Sequence, residues 1–341
     1  MTPEPHHTPR ATERRLDMLR EEAVRTGLVA GAGGPIVGGP IPRAPSAPVG
    51  YYGQPVIKAP VWTWQVGLYL FVGGTAGMAG VLALAAFLTG QRTEIVSTAL
   101  GLSAAGAVIS PFLLIADLGR PTRFLNMLRV FRWRSAMSMG VWILVLFSSC
   151  AMPAFLLAEG SGILTRHGVP EVFQRIPLLF FMLGTALFGL LLATYTGVLL
   201  GATAVPAWFA HHRLLPFHFG IVALGSAAAA LELLGFRMGA LNAIGLTVAG
   251  VETGVGVWIE MSRKGATARA LHEGTPGVLL RIAGLATGPG SLIARLFGWV
   301  PVADVCFLLG AIFSRYGWLA AGRVSARDPV ETFAEQRGPS G

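Results

Sequence analysis

The chain alternates between long apolar blocks and short polar connections. Each block has roughly 20 residues, the length that a helix needs to cross a hydrocarbon core about 30 Å thick. Gly-Pro-Gly at 288–290 and Arg295 interrupt the seventh block. The eight blocks cover residues 63–88, 95–117, 138–158, 178–203, 216–235, 239–259, 278–298 and 302–321.

These blocks predict a helical membrane protein. Lipid cannot satisfy free backbone N–H and C=O groups, so each block must be a helix. The expected fold is all-α, a polytopic membrane helix bundle with about eight transmembrane helices. Small residues on one helix let neighbouring backbones approach closely. The first block has such a stripe, formed by Gly73, Gly74, Gly77 and Gly80.

Composition supports a lipid-facing surface. The chain has 341 residues, of which 53% are hydrophobic and 13% charged, whereas soluble domains average about 25% charged residues. The net charge of +9 comes almost entirely from arginine in the tails and connections. We therefore attribute it to membrane orientation and partner docking, and expect no nucleic acid partner.

The blocks divide the chain into four parts. Residues 1–50 form a polar, Gly/Pro-rich tail, 51–210 hold the first four helices, 211–322 hold the second four, and 323–341 form a second tail. An even number of helices places both tails on one side. The arginine-rich connections fall on that side, which predicts cytoplasmic termini. A partner that docks on these arginines would produce the same pattern.

Cysteine and histidine usage limits the cofactors. The chain has two cysteines, Cys150 and Cys306, so it cannot supply the roughly four thiolates of an iron–sulfur cluster. His218 lies at the edge of a block, and the other histidines lie in tails or connections. No pair suits a buried haem. We expect no metal, no haem and no iron–sulfur cluster in this chain.

Ionisable residues inside apolar blocks are functional candidates because their burial is costly. Glu252 lies near the middle of the sixth block, so it must be protonated, paired or in contact with water. A proton relay and a structural pair are both open. Arg295 closes the seventh block, and Glu232 and Asp304 lie near block ends, which favours a structural pair with an Arg, Ser or Thr neighbour for these two.

Other polar residues gather near the side of the termini. Asp117 and Arg120 are three residues apart, which places them on one helix face as a potential ion pair. Such a pair could fix a loop or deliver protons. Gln65, Thr194 and Tyr195 interrupt apolar helices on the same side. They could contact a quinone head group, or bond to each other and the backbone.

Three segments carry a family resemblance. One is YYGQPVIKAPVW at 51–62, which leads into YLFVGG at 69–74. The second is DLGRPTRFLNMLRVF at 117–131, followed by SAMSMGVW at 135–142. The third is YTGVLL at 195–200 with VPAW at 205–208. Together they resemble the NrfD/PsrC family of polysulfide reductase membrane subunits, over residues 51–210.

The resemblance implies a function. Such subunits pass electrons between the quinone pool (menaquinone or ubiquinone) and a ferredoxin-like iron–sulfur subunit. That partner usually connects to a molybdopterin catalytic subunit, and the family is expected in the bacterial inner membrane. The chain would then be the quinone-site subunit of an oxidoreductase complex. Two alternatives are a purely structural membrane anchor and a proton-translocating subunit that uses Glu252.

The resemblance also assigns residues. Asp117 and Arg120 match the family's Asp-Leu-Gly-Arg-Pro motif, and Tyr195 matches its fourth-helix tyrosine near the quinone. Gln65 is the nearest candidate for its polar residue on the first helix, and Thr194 adjoins Tyr195. Asp117 and Arg120 would support proton exchange beside a quinone that Gln65 and Tyr195 contact.

Overall fold

The computed structural model describes residues 57–118, 122–168, 170–261 and 268–328, together with Met18 and Thr332. Of the two predicted tails, only Met18, residues 323–328 and Thr332 are described. Arg120 and residues 51–56, which belong to the segments that carry the family resemblance, also lie outside the described residues. The helices below belong to one compact unit, Ala47–Gly341.

The described residues are overwhelmingly helical. A π-helical turn, Ala286–Gly290, joins α10 to α11. The helices are α1 Trp64–Leu88, α2 Thr93–Asp117, α3 Thr122–Arg129, α4 Ala136–Arg166, α5 Glu171–Gly201, α6 Pro206–Ala210, α7 Leu214–Leu233, α8 Gly239–Met261, α9 Ala268–His272, α10 Gly274–Leu285, α11 Ser291–Leu296 and α12 Val300–Ser325.

Eight helical segments in the described residues are long and apolar enough to span a membrane. They are α1, α2, α4, α5, α7, α8, the broken segment from α10 to α11, and α12. The eight-helix, all-α prediction is therefore confirmed. Successive spans run in opposite directions, so α1 begins and α12 ends on one side. We call this the proximal side, and the opposite side the distal side.

Glycine contacts bring α1 against its neighbours. The backbones of Gly77 and Gly189 approach so closely that a Cβ on either residue would overlap the other's carbonyl. A Cβ on Gly80 would overlap the Thr185 side chain of α5, and one on Gly74 would lie 3.2 Å from Ala223 of α7. The predicted packing role of the small-residue stripe is confirmed. The first helix thus contacts both the fourth and the fifth span.

Two spans are longer than the sequence indicated. The apolar blocks at 138–158 and 178–203 gave no sign that α4 and α5 each extend over 31 residues. The added turns lie on the distal side and contain charged residues such as Glu159, Arg166 and Glu171. An apolar block ends where charged residues begin, whereas the helix itself can continue into the headgroup region and water.

Candidate functional site

The first polar cluster lies on the proximal side, where α1 begins and α2 ends. The Thr63 N–H donates to Asp117 Oδ1 at 3.1 Å. The Thr63 hydroxyl also contacts Asp117 Oδ1 and Gln65 Oε1. Thr63, which the sequence did not single out, thus joins two predicted site residues that are 52 positions apart. We call Thr63, Gln65 and Asp117 the Asp117 cluster.

Tyr195 lies on the same side but faces α4. Its phenol donates to the Ala136 carbonyl at 2.6 Å, and its ring packs on Gly140. A Cβ at Gly140 would overlap the ring and the phenol oxygen. The glycine therefore creates the space that Tyr195 occupies. The phenol proton is already engaged, which leaves the oxygen lone pairs available to a donor.

Thr194 points in a different direction. Its hydroxyl donates to the Leu190 carbonyl at 2.9 Å, and its methyl group faces Gly220 of α7. Adjacent residues on a helix lie about 100° apart, since a turn takes about 3.6 residues. Thr194 and Tyr195 therefore contact different helices. The structure does not bring Thr194 to the Asp117 cluster or to the surroundings of Tyr195.

Glu252 belongs to a second polar cluster, in the second half of the chain. It is 2% exposed, and Oε1 lies 3.0 Å from Nδ1 of His218 on α7. The Thr287 hydroxyl donates to Oε2 at 3.4 Å, and His218 Nε2 lies 3.0 Å from the Ser314 hydroxyl of α12. We call His218, Glu252, Thr287 and Ser314 the Glu252 cluster. It gathers groups that can hold or move a proton.

Arg315 supplies positive charge next to this cluster and interacts electrostatically with Glu252. It is buried, donates to the Phe219 carbonyl at 2.9 Å, and places its guanidinium 3.7 Å from the centre of the Phe219 ring. Sequence reasoning missed it, although an arginine inside an apolar block was the available signal. A buried carboxylate is far less costly with a counter-charge nearby.

A broken helix places Thr287 beside Glu252. Pro289 has no N–H, so the regular hydrogen-bond ladder cannot pass through it. The chain forms a π turn in which Gly288 leaves helical geometry. A Cβ on Gly288 would lie 3.0 Å from the Thr253 backbone nitrogen, so glycine allows the close approach to α8. Single π turns are frequent at functional sites.

A cavity of about 390 Å³ adjoins the Glu252 cluster. Its walls are mostly apolar and come from α8, α10 and α12, with Leu280 and Trp318 among them. His218, Glu252, Thr287 and Ser314 line its inner end. Glu260, His272 and Arg281 line its proximal end. A chamber of this size with few polar groups has the character of a small-molecule pocket.

A third cluster, which we call the Arg295 cluster, lies towards the distal side. Arg295 donates to Glu232 at 2.7 Å, to Asp304 at 2.5 Å and to the Asn242 side-chain oxygen at 3.0 Å. All three charged residues are buried. The structural pairing predicted for Glu232 and Asp304 is confirmed, and the structure identifies Arg295 as their shared partner. Asp304 and Ser314 are ten residues apart on α12, so this cluster lies about 15 Å from the Glu252 cluster along the helix axis.

Aromatic side chains connect the Asp117 and Glu252 clusters. Trp62, beside Thr63, stacks on Trp208 with ring centres 5.1 Å apart. Trp208 donates from its indole nitrogen to the Trp318 carbonyl at 2.7 Å, and the Trp318 ring lies 6.4 Å from His218. Both Trp208 and Trp318 are fully buried. Aromatic contacts thus run from the residue next to Thr63 to His218 of the Glu252 cluster.

The sequence model of the family described as polysulphide reductase, NrfD, matches residues 54–257. The chain belongs to the NrfD family. The match covers well over half of the chain and confirms the resemblance. It also extends past residue 210, where the motifs ended, so the region typical of NrfD proteins includes His218 and Glu252. No curated protein matches the chain.

Proposed function

We propose that this NrfD-family chain is the quinone-reactive membrane subunit of a multisubunit oxidoreductase. In this role it passes electrons between the quinone pool and a ferredoxin-like iron–sulfur subunit. Membership of the family and eight apolar spans are consistent with a membrane anchor of a redox complex. The proposal adds quinone contact and the nature of the partner. Menaquinone and ubiquinone both fit it.

The observation that carries the proposal is the Asp117 cluster. It holds a carboxylate, an amide and a hydroxyl together at the edge of an apolar bundle. These groups fit a quinone head, which needs hydrogen-bond donors at its carbonyl oxygens and a residue that exchanges protons. Gln65 would orient the head through its amide, Tyr195 would accept a hydrogen bond from the hydroxyl of the reduced quinol, and Asp117 would hold a proton beside it. Arg120 would support this proton exchange together with Asp117.

The connection between α3 and α4 supports a partner subunit on the proximal side. Phe131 and Trp133 are largely exposed there, and Arg132 and Arg134 alternate with them. Exposed aromatic and arginine side chains are typical of protein interfaces. An iron–sulfur subunit bound here would lie on the same side as the Asp117 cluster. A molybdopterin or other catalytic subunit would then bind to that partner.

The test is quinone-linked turnover in membranes that contain the whole complex. We expect Tyr195→Phe and Asp117→Asn each to lower turnover at least tenfold, because each removes a polar group beside the quinone. Glu159→Gln is the matched control, since Glu159 pairs with the Ser97 hydroxyl on the distal side. Full turnover in both site variants would contradict the proposal and favour a purely structural anchor.

A second function, proton translocation, is favoured by the polar groups of the second half. Thr287, Ser291 and Arg295 recur every four residues along the seventh span, between the Glu252 and Arg295 clusters. Glu252→Gln should abolish a turnover-driven pH gradient in vesicles while electron transfer continues. A gradient unchanged by this variant would contradict proton translocation through Glu252.

A further inference from the structure

The cavity beside the Glu252 cluster is large enough to hold a small molecule. Protein interiors are normally filled to crystal-like density, and voids larger than a water molecule are few. A space of about 390 Å³ lies within the range of ligand pockets, about 300–1,000 Å³. Its lining combines long apolar walls with polar groups at both ends. Such a chamber suits an elongated amphipathic molecule.

Glycines on both flanking helices keep the chamber open. Gly256 of α8 and Gly284 of α10 line it, and a Cβ added to either would meet no atom within 4 Å. Neither glycine has a positive φ, and neither makes a close backbone approach. Backbone geometry therefore does not require glycine at these positions. A larger side chain at either position would begin in this open space and reduce the volume of the chamber.

The inner end of the chamber determines which head group fits. Glu252 and His218 are in contact there, with the Ser314 and Thr287 hydroxyls on either side. These groups can accept a hydrogen bond from a hydroxyl or donate one to a carbonyl oxygen. All four residues lie within membrane-spanning helices, away from the proximal ends of those helices. A charged head would be costly at this depth, whereas a neutral one with carbonyl or hydroxyl oxygens is well matched.

The side of the chamber between α8 and α10 indicates how the molecule would enter. Val257 of α8 and Leu285 of α10 both line the chamber, yet they are 53% and 64% exposed. They lie in segments long and apolar enough to span a membrane, so the part of their surface outside the chamber would face lipid. An apolar tail can therefore leave between α8 and α10 into the hydrocarbon. The occupant is lipid-soluble and neutral, with oxygens at one end and an apolar tail at the other.

We propose that this chamber, the α8–α10 chamber, binds the head group of an isoprenoid quinone, with the tail leaving between α8 and α10. The assignment rests on the proposed function for the choice of quinone among neutral lipids. It adds a binding site separate from the Asp117 cluster. A phospholipid fits less well, because its phosphate belongs near Arg281 and His272. Its acyl chain would then face Glu252 without any polar group to offer.

The test is photolabelling of the purified full-length chain with an azidoquinone that carries a decyl tail, followed by peptide mapping. We expect label on peptides from α8 and α10. Gly256→Leu and Gly284→Leu should each reduce it at least tenfold by filling the chamber. Gly254→Leu is the matched control, because Gly254 also faces open space on α8 but does not line the chamber. It should label like wild type.

The labelled positions separate this proposal from the proposed function. Label confined to peptides that contain Gln65, Asp117 or Tyr195 would overturn the chamber assignment and leave the proposed function standing. Label on α8 and α10 that Gly256→Leu and Gly284→Leu do not reduce would overturn it as well. Label confined to α8 and α10, and reduced by both variants, would support the chamber and count against the Asp117 cluster as the quinone site.

Phospholipid occupancy is tested with brominated-chain phosphatidylcholine, since bromine quenches nearby tryptophan fluorescence and Trp318 lines the chamber. Under the proposal, Gly284→Leu leaves this quenching unchanged, and decylubiquinone does not relieve it. Quenching that falls in Gly284→Leu and is insensitive to decylubiquinone would identify an acyl chain as the occupant and overturn the assignment.

Discussion

At the scale of single residues, Gly140 and Tyr195 depend on each other. The ring of Tyr195 fills the space that a side chain at 140 would need, and its hydrogen bond to Ala136 holds it there. The tyrosine therefore cannot move aside at low cost. A predicted site residue is thus positioned by a neighbour that has no side chain.

Gly140→Ala should lower the free energy of unfolding by about 1–3 kcal/mol, the usual cost of overpacking. Gly160→Ala is the control on the same helix, because a Cβ there meets nothing within 4 Å. Alanine favours a helix over glycine by up to about 1 kcal/mol, so the control should be neutral or stabilising. Thermal unfolding in detergent distinguishes the two. Equal unfolding temperatures would contradict the proposed packing of Tyr195 on Gly140.

Arg295 also depends on its neighbours, in this case through charge. Its guanidinium contacts two carboxylates that are buried with it, Glu232 and Asp304. Removing one member of a buried ionic group usually costs about 3–5 kcal/mol, because the remaining charges lose their partner.

We therefore expect Arg295→Met to lower the unfolding temperature markedly. Arg237→Met removes an exposed arginine from the nearby connection and should have little effect. Adding Glu232→Gln and Asp304→Asn to Arg295→Met should restore part of the loss, since the unpaired carboxylates are then gone. Failure of this rescue would show that packing, and not charge, explains the effect of Arg295→Met.

At the scale of elements, the seventh span is the unusual one. Its π turn lets α10 and α11 remain one crossing segment while Gly288 comes close to α8. The sequence indicated that Gly-Pro-Gly at 288–290 interrupts a helix. The structure shows that the interruption places Thr287 against Glu252.

Gly288→Val should push the π turn away from α8, because a Cβ there would lie about 3.0 Å from backbone atoms of Thr253. We expect destabilisation of about 1–3 kcal/mol. Gly284→Val, one turn earlier, points into open space and should be tolerated. Protease sensitivity of the α8–α10 region and the unfolding temperature measure the difference. Similar behaviour of both variants would contradict the close contact.

At the scale of the whole molecule, charge is unevenly distributed between the two sides. Arg129, Arg132, Arg134 and Arg213 all lie on the proximal side. The positive-inside rule then predicts that this side is cytoplasmic. Because a docked partner could gather the same arginines, the prediction needs a direct measurement.

Single cysteines provide that measurement. In a chain with Cys150→Ala and Cys306→Ala, a membrane-impermeant maleimide added to intact cells should label Arg92→Cys but not Arg213→Cys. Both positions are exposed, on the distal and proximal sides respectively. Inverted vesicles should reverse the result. Labelling of Arg213→Cys in intact cells would place the proximal side outside the cytoplasm.

Much of the fold could be predicted from the sequence, because hydropathy reports directly on lipid. The eight spans follow from block length, and the first begins within one residue of the expected position. The site was harder to predict. His218 and Glu252 are 34 residues apart, and their contact depends on how α7 and α8 rotate against each other. Periodicity does not encode that rotation when both faces of a helix are apolar.

Site residues near helix ends were more accessible to prediction. Gln65 and Asp117 lie at neighbouring ends of consecutive spans, so topology alone brings them to the same side. Thr63, which joins them, was overlooked because a threonine just before a helix usually signals only a cap. Here its side chain makes no cap and bonds to α2 instead.

The proposed opening between α8 and α10 determines which ligand concentration controls binding to the chamber. Under the proposed assignment, Val257 and Leu285 border an opening to the hydrocarbon, so a quinone would reach the α8–α10 chamber by lateral diffusion within the bilayer. Occupancy then depends on the mole fraction of that molecule in the lipid, and not on its amount per volume of buffer. Adding empty vesicles at constant total ligand would dilute the ligand in two dimensions and empty the chamber. Adding water would not.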